Sequence, residues 1–312
     1  MSKLLYVSAS QFSGTTLLSF LLNQHSAIAT IGHTMGWSFD DPDDFRCSCG
    51  KRIADCPLFC HVAMAYQRNG LAFRADDFGT AFRVSENGAV NYYLTEALPK
   101  FGVTWLELGR DRVVSLIPQY RRLLRQQLQS NKVFMDAVLD YWGADCFLDN
   151  SHSPFRLRRL AKSRIFDVHN LHLVRDPRGV ALSLMKNSGF SAEAAARSWI
   201  KRHRDILRIR SSIPKSIRVY YEELCESPDS ILNRIYQFVG VSQQSFTGNF
   251  KNTEHHILGN RMRLSDGAIR LDEKWKRNLD PESRGRIERE LKRFLLRHRD
   301  SELGSIIEHY LS

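Results

Sequence analysis

Residues 4–39 contain no Asp, Glu, Lys or Arg, the longest such stretch in a chain of 312 residues. A segment so free of charge crosses a membrane or lies inside a fold, and its polar residues choose between the two. Ser8, Ser10, Ser13, Thr15, Thr16, Ser19 and Asn23 interrupt it every few positions, so it holds no run of the roughly 18 apolar residues that a bilayer span requires. It also lacks a basic leader followed by a small-residue cleavage site. The chain is therefore expected to be soluble and cytoplasmic, with no transmembrane segment. Inside a fold the same stretch reads as a buried strand (LLYVS), a small-residue turn (ASQFSG) and an apolar helix (TTLLSFLL).

Similar units recur. Apolar, β-branched segments at 4–8, 27–31, 146–149, 170–174 and 217–221 read as strands, and helical patterns at 15–23, 154–161, 178–186, 192–210 and 229–239 separate most of them. This alternation predicts the α/β class: a P-loop-like parallel β-sheet flanked by helices. A hydrophobic content of 43% with only 9 Pro and 18 Gly excludes disorder and collagen, and no internal repeat points to a solenoid. One domain over 1–312 is expected. Residues 40–143 differ, being polar, helix-prone and cysteine-bearing. They read as a helical insertion covering the site, because ligands in such sheets bind beyond the carboxyl ends of the strands. From residue 282 on, Arg, Lys and Glu alternate with Leu, Ile and Phe at helical spacing, as in a docked, solvated helix.

The turn after the first strand leads into a helix N-terminus, where backbone N–H groups and the helix dipole favour an anion. Thr15 and Thr16 add hydroxyl donors, so a phosphate fits against Ser13, Gly14, Thr15, Thr16 and Leu17. Set against G-x-x-x-x-G-K-[ST], Ala9 replaces the first glycine and Thr15 the lysine, which argues against a nucleoside triphosphatase. Taken alone, the stretch reads equally well as an ordinary turn with an N-cap. The net charge of +11 suits an anionic partner. No basic stripe interleaved with aromatics marks a nucleic-acid module, so nucleic acid is not expected as a partner.

A second segment carries more information. Residues 170–183 read NLHLVRDPRGVALS: a strand delivers Arg175 to its carboxyl end, Asp176-Pro177 breaks it, and Ser183 lies two turns into the next helix. Together Arg175 and Ser183 can grip one phosphate. Paired with SGTTLL, this segment resembles the sulfotransferases that use 3′-phosphoadenosine 5′-phosphosulfate (PAPS). FLDNSHSP, IRVYYEELCESPDSILNRIYQFVGV and HHILGNRMRLSDGAIRLDEKWKRNL resemble further segments of bacterial-type members, in the family's order. The resemblance implies that the first motif holds the 5′-phosphosulfate and that Arg175 and Ser183 hold the 3′-phosphate. It also implies that Tyr221 lies near the adenine and that a late loop with Asn260 and Arg261 closes over the nucleotide. PAPS would be the donor, leaving as adenosine 3′,5′-bisphosphate, with no metal required.

Two positions depart from the family's pattern. Phe12 stands where a Lys or Arg usually precedes Ser-Gly-Thr, and His152 replaces the lysine of the D-x-S-K-S-P stretch. Either a basic residue of the insertion supplies the missing cation, or the chain is an inactive relative. The acceptor's proton must also be removed, a task for which a histidine is suited. His33 is the first candidate, because in some relatives a catalytic Gly-Glu lies at about its distance from the loop. His152 is the second, and Asp149 is the nearest carboxylate after them. His25, His169, His172, His255 and His256 read as packing or surface residues.

Cys47, Cys49, Cys56 and Cys60, with His61 adjacent, have a spacing compatible with zinc, with disulfides or with free thiols. The spacing assigns no metal. The resulting expectation is a sulfotransferase that moves a sulfuryl group from PAPS, by in-line transfer, to a hydroxyl or amine of a small-molecule, lipid or glycan acceptor. The alternatives are an inactive relative that binds the bisphosphate and a degenerate P-loop nucleotide kinase. Acceptor identity and oligomeric state are not legible in the sequence.

Overall fold

The computed structural model describes residues 1–34, 46–95, 104–246, 248–250, 254–258 and 268–312. Asn260 and Arg261 lie outside the described residues. Five strands, β1 (Ser2–Ala9), β2 (Ile28–Thr30), β3 (Cys146–His152), β4 (Phe166–Val174) and β5 (Ser216–Tyr220), form one sheet in the order β2-β3-β1-β4-β5. Every pairing is parallel. The central strand shows why. Leu4 and Tyr6 enter one core cluster while Leu5, Val7 and Ala9 enter another, so both faces of β1 are buried and the strand is apolar almost throughout.

The helices follow from the same logic. α1 (Thr15–Leu22) succeeds β1; α2 (Pro57–Arg68), α3 (Gly88–Thr95), α4 (Thr104–Leu116) and α5 (Pro118–Trp142) lie between β2 and β3. α6 (Pro154–Ser163) joins β3 to β4, and α7 (Pro177–Ser188) and α8 (Ala192–Arg210) join β4 to β5. α9 (Tyr221–Glu226), α10 (Pro228–Val239), α11 (Trp275–Asn278), α12 (Pro281–His298) and α13 (Glu302–Leu311) complete the chain. Phe59 of α2, Phe134 and Val138 of α5 and Leu157 of α6 cover one face of the sheet, with Leu4 and Tyr6. Leu18 and Phe20 of α1 and Leu232 and Ile235 of α10 cover the other. A third cluster, around Trp199, Ile287 and Ile307, joins α8, α12 and α13.

Two expectations need adjustment. The last strand ends at Tyr220, and Tyr221 opens α9 instead. The tail beyond residue 282 is two helices, not one: Ser301 breaks the run and caps α13 by accepting a hydrogen bond from Gly304 N at 3.0 Å. Leu303, Ile306 and Ile307 are then buried against α8 and α12. Among the described residues, no helix is long and apolar enough to cross a membrane.

Candidate active site

The carboxyl ends of β1 and β4 lie side by side, with Ser8 opposite His172 and Ala9 opposite Leu173. The loop after β1 therefore meets the first residue after β4. In that loop the Ser10 and Ser13 hydroxyls are hydrogen-bonded at 2.6 Å. Phe12 (φ 60°) and Gly14 (φ 88°) both adopt left-handed backbone, and α1 starts at Thr15 with no side-chain cap. The N–H groups of the first turn are thus left for an anion. Ser13, Thr15, Thr16 and Leu17 are all buried around this turn.

Arg175 closes the loop from the side. Its Nη1 donates to Phe12 O at 2.8 Å, and its guanidinium lies 4.6 Å from the centre of the Tyr221 ring. Nη2 donates to Asp272 O at 2.8 Å and pairs with the Asp272 carboxylate at 3.1 Å. Burial opposes ionisation of Asp272, but the Arg175 charge prevails and holds the carboxyl below its ordinary value. Tyr221 is only 5% exposed, so its ring offers little surface for an adenine. It packs against Gly14 of the loop on one side and the Arg175 guanidinium on the other.

A cleft of about 560 Å³ opens beside this contact, lined by Arg175, Ser183, Lys186, Asp272, Lys274 and Trp275. The structure thus brings Arg175 and Ser183 together, as their positions suggested. Ser183 Oγ currently donates to Gly179 O at 3.1 Å, within its own helix. Trp275 is fixed between the guanidinium groups of Arg178, at 4.1 Å, and Arg284, at 5.4 Å. A larger hollow of about 860 Å³ lies among residues such as Arg74, Asp77 and Arg83, and contains none of the residues singled out from the sequence.

The two candidate histidines meet on the other side of the loop. The rings of His33 and His152 are 5.2 Å apart and edge-on, and His152 Nε2 lies 3.4 Å from Thr15 Oγ1. His152 ends β3 with φ 61°, a conformation that costs a non-glycine residue about 1–3 kcal/mol and often marks a working position. Burial lowers the His33 pKa to about 4; the Asp149 carboxylate pulls it upward and Arg156 pushes it down. Burial, then the charges of His33 and Arg202, also lowers that of His152. Both imidazoles are therefore neutral at neutral pH, so His152 cannot replace the cation of the lysine it stands for.

Asp149 is not available as a base. Its Oδ2 accepts from Arg156 Nε at 2.9 Å, with both side chains essentially inaccessible, and its Oδ1 accepts from the Ser151 N–H and hydroxyl. Arg156 is in turn held by Thr80 O and Asn131 Oδ1. This pair acts on His33 through its charges. The cysteines also sort differently from their spacing. Cys47, Cys49 and Cys56 gather around His256, whereas Cys60 is exposed and His61 pairs with Asp140 at 3.0 Å.

A sequence profile of the sulfotransferase family matches residues 169–245, which include Arg175, Ser183 and Tyr221. Over that segment the chain is similar to the sulfotransferase family. Its fold is also that of the sulfotransferase domain from the curacin biosynthetic pathway, aligned over 94% of this chain and 98% of that one at 14% identity and a TM-score of 0.52. The sulfotransferase domain of the Synechococcus PCC 7002 olefin synthase aligns over 92% and 93%, at 18% identity and a TM-score of 0.47. No curated protein matches the sequence.

Sequence reasoning missed residues that the fold brings to the candidate site. Asp272 and Lys274 lie far along the chain from Arg175, and only folding shows that they share its cleft. Arg202, whose charge acts on His152, was invisible for a different reason. It sits among other basic residues of α8, and nothing local distinguishes it from a solvated charge.

Proposed function

We propose that the chain transfers a sulfuryl group from PAPS to a hydroxyl or amine of a small-molecule, lipid or glycan acceptor. The observation that carries this reading is the contact of Arg175 with both the phosphate loop, through Phe12 O, and the Tyr221 ring. It joins two anion-seeking features at one strand edge, at the loop and in the cleft of Arg175, Ser183 and Lys274. A nucleotide with phosphates at both ends of its ribose fits that arrangement.

In this reading the acceptor's oxygen or nitrogen attacks sulfur while the bond from sulfur to the 5′-phosphate oxygen breaks, and that phosphate oxygen keeps the bonding electrons. The acceptor's proton passes to a ring nitrogen of neutral His33. Charge develops on the leaving phosphate, where the N–H groups at the start of α1 and the Thr15 and Thr16 hydroxyls stabilise it. Arg202 of α8, whose charge reaches His152, is the candidate for the cation absent at Phe12. The acceptor enters past the insertion.

One observation favours a second reading. Phe12 packs against the apolar cluster of α7, α8, α12 and α13, so the family's cationic position is here apolar. A binder of adenosine 3′,5′-bisphosphate without turnover is the consequence. Calorimetric titration with the bisphosphate in the absence of magnesium, beside ATP with magnesium, tests the nucleotide. Acceptor-dependent release of bisphosphate from PAPS then tests turnover. Preferential binding of ATP with magnesium overturns both readings, whereas binding without turnover across a broad acceptor panel selects the second.

A further inference from the structure

Three cysteines and one histidine converge outside the nucleotide site. The ligand atoms of Cys47, Cys49, Cys56 and His256 all lie within 4.8 Å of one another. Cys49 Sγ is 3.8 Å from Cys56 Sγ, and His256 Nδ1 is 3.1 Å from Cys56 Sγ and 3.8 Å from Cys47 Sγ. We propose that these four side chains bind one structural zinc ion, which clasps the start of the insertion to residues 254–258.

The distances suit a tetrahedron. Zinc–thiolate bonds of about 2.3 Å at tetrahedral angles put sulfur atoms about 3.8 Å apart, whereas a disulfide needs about 2.05 Å. Cys47, Cys56 and His256 are also fully buried. Three thiols facing one imidazole nitrogen can satisfy it only once, but a soft cation binds all four groups together. Four protein ligands leave no open coordination position, which makes the site structural and not catalytic.

The surroundings supply what such a site needs. Gly50 (φ 83°) turns the chain, with Gly50 N donating to Cys47 O at 2.9 Å, so that Cys47 and Cys49 lie on one side. Cys56 immediately precedes α2. His256 Nε2, the nitrogen facing away from the sulfurs, is 3.1 Å from Glu254 Oε1, close enough for an ion pair although not aligned as a hydrogen bond. A carboxylate behind a ligating histidine orients the ring and raises its basicity. The rings of Tyr141 and Trp142, each 5.6 Å from His256, shield it.

The clasp reaches the candidate active site through the backbone. Ser48 N donates to Ile257 O, and Ile257 N donates to Ser48 Oγ, which in turn donates to His255 O. The next residue, Leu258, donates its N–H to Ile31 O at 2.7 Å and bridges Gly32. A Cβ at Gly32 would come within 2.4 Å of Leu258 O, so this contact is close. The metal therefore fixes the segment that braces the residue before His33.

Elemental analysis of the full chain, purified without added metal, is the direct test. One zinc per chain is expected, and a thiol-reactive mercurial should release it to a chromophoric dye. Cobalt exchanged into the site should show the visible bands of a tetrahedral thiolate complex. Cys56→Ser and His256→Ala should lose the metal, Cys60→Ser should keep it, and Glu254→Gln should weaken zinc affinity about 10–100-fold. If the ligand variants fail to fold, mercurial release from the unmodified chain decides alone. Freely titrating thiols without metal, a disulfide among these cysteines, or iron with acid-labile sulfide would each overturn the proposal. None of these readouts depends on sulfotransferase activity, so failure here is distinguishable from failure of the functional reading.

Discussion

Asp272 occupies Arg175 twice, with its carboxylate at 3.1 Å and its backbone oxygen at 2.8 Å. The arginine assigned to a phosphate is thus already charge-matched, and an incoming phosphate must displace the carboxylate. Asp272→Asn should therefore tighten bisphosphate binding, by about twofold to fivefold, because the pair is partly exposed and worth at most about 1 kcal/mol. Arg175→Ala should weaken it at least about tenfold through loss of a charge-assisted contact of about 1.5–3 kcal/mol. Calorimetry reads both, and equal affinities in all three proteins would move the 3′-phosphate elsewhere.

Gly14 cannot be replaced without moving Tyr221. A Cβ there would stand 2.4 Å from Tyr221 Cδ2, and φ is 88°. Gly14→Ala should cost about 1–3 kcal/mol of stability and abolish measurable bisphosphate binding, because the loop must shift off Arg175. A melting temperature and an affinity both unchanged would show that the loop is not held by this contact.

These two contacts mark how far the sequence could be read. The turn from β1 to α1 was legible because its signals lie within a few residues: β-branched and apolar positions, then small residues, then a helix. Arg175 was legible as a strand-end residue for the same reason. The approach of Asp272 to Arg175 and of His256 to Cys56 was not, because side chains so distant in sequence meet only once the sheet and its loops have packed. The histidines show a subtler limit. Sequence places His33 and His152 near the site but cannot show that burial removes their charge.

That burial has a consequence for stability. An unfolded histidine titrates near 6.5, whereas folded His33 titrates at about 4, so between these values the unfolded chain binds more protons. Stability is then fully present above pH 6.5 and is lost as pH falls toward 4. His152 and the buried pair His172 and His203 are lowered in the same direction, chiefly by burial. The melting temperature should drop steeply across this window, and His33→Gln should flatten part of the slope. A melting temperature constant from pH 7 to 4.5 would contradict the assignment.

Asp149 should behave as a structural residue. Removing one partner of a buried ion pair leaves the other charge unmatched and typically costs about 3–5 kcal/mol. Asp149→Asn should accordingly melt far lower than the unmodified chain while the pH dependence of its residual turnover stays in place. A normal melting temperature with a displaced pH profile would instead make it part of the chemistry.

The base is separated from its neighbours by three substitutions read against two quantities. If neutral His33 takes the acceptor's proton, His33→Ala should lower kcat by about 10²–10⁴ and leave bisphosphate affinity nearly unchanged. The kcat/KM profile of the unmodified protein should be level from pH 5 to 8, because the free-enzyme imidazole loses its proton at about 4; an ordinary histidine would give a limb near 6.5. Arg202→Met removes the charge assigned to the leaving group, so kcat should fall while the pH profile stays level. His152→Ala removes the ring next to Thr15 Oγ1 and one of the groups bordering His33, so donor affinity and kcat should fall together. Should kcat survive in His33→Ala and collapse only in His152→Ala, His152 becomes the base. Survival in both would leave the acceptor's deprotonation to a group outside this pair.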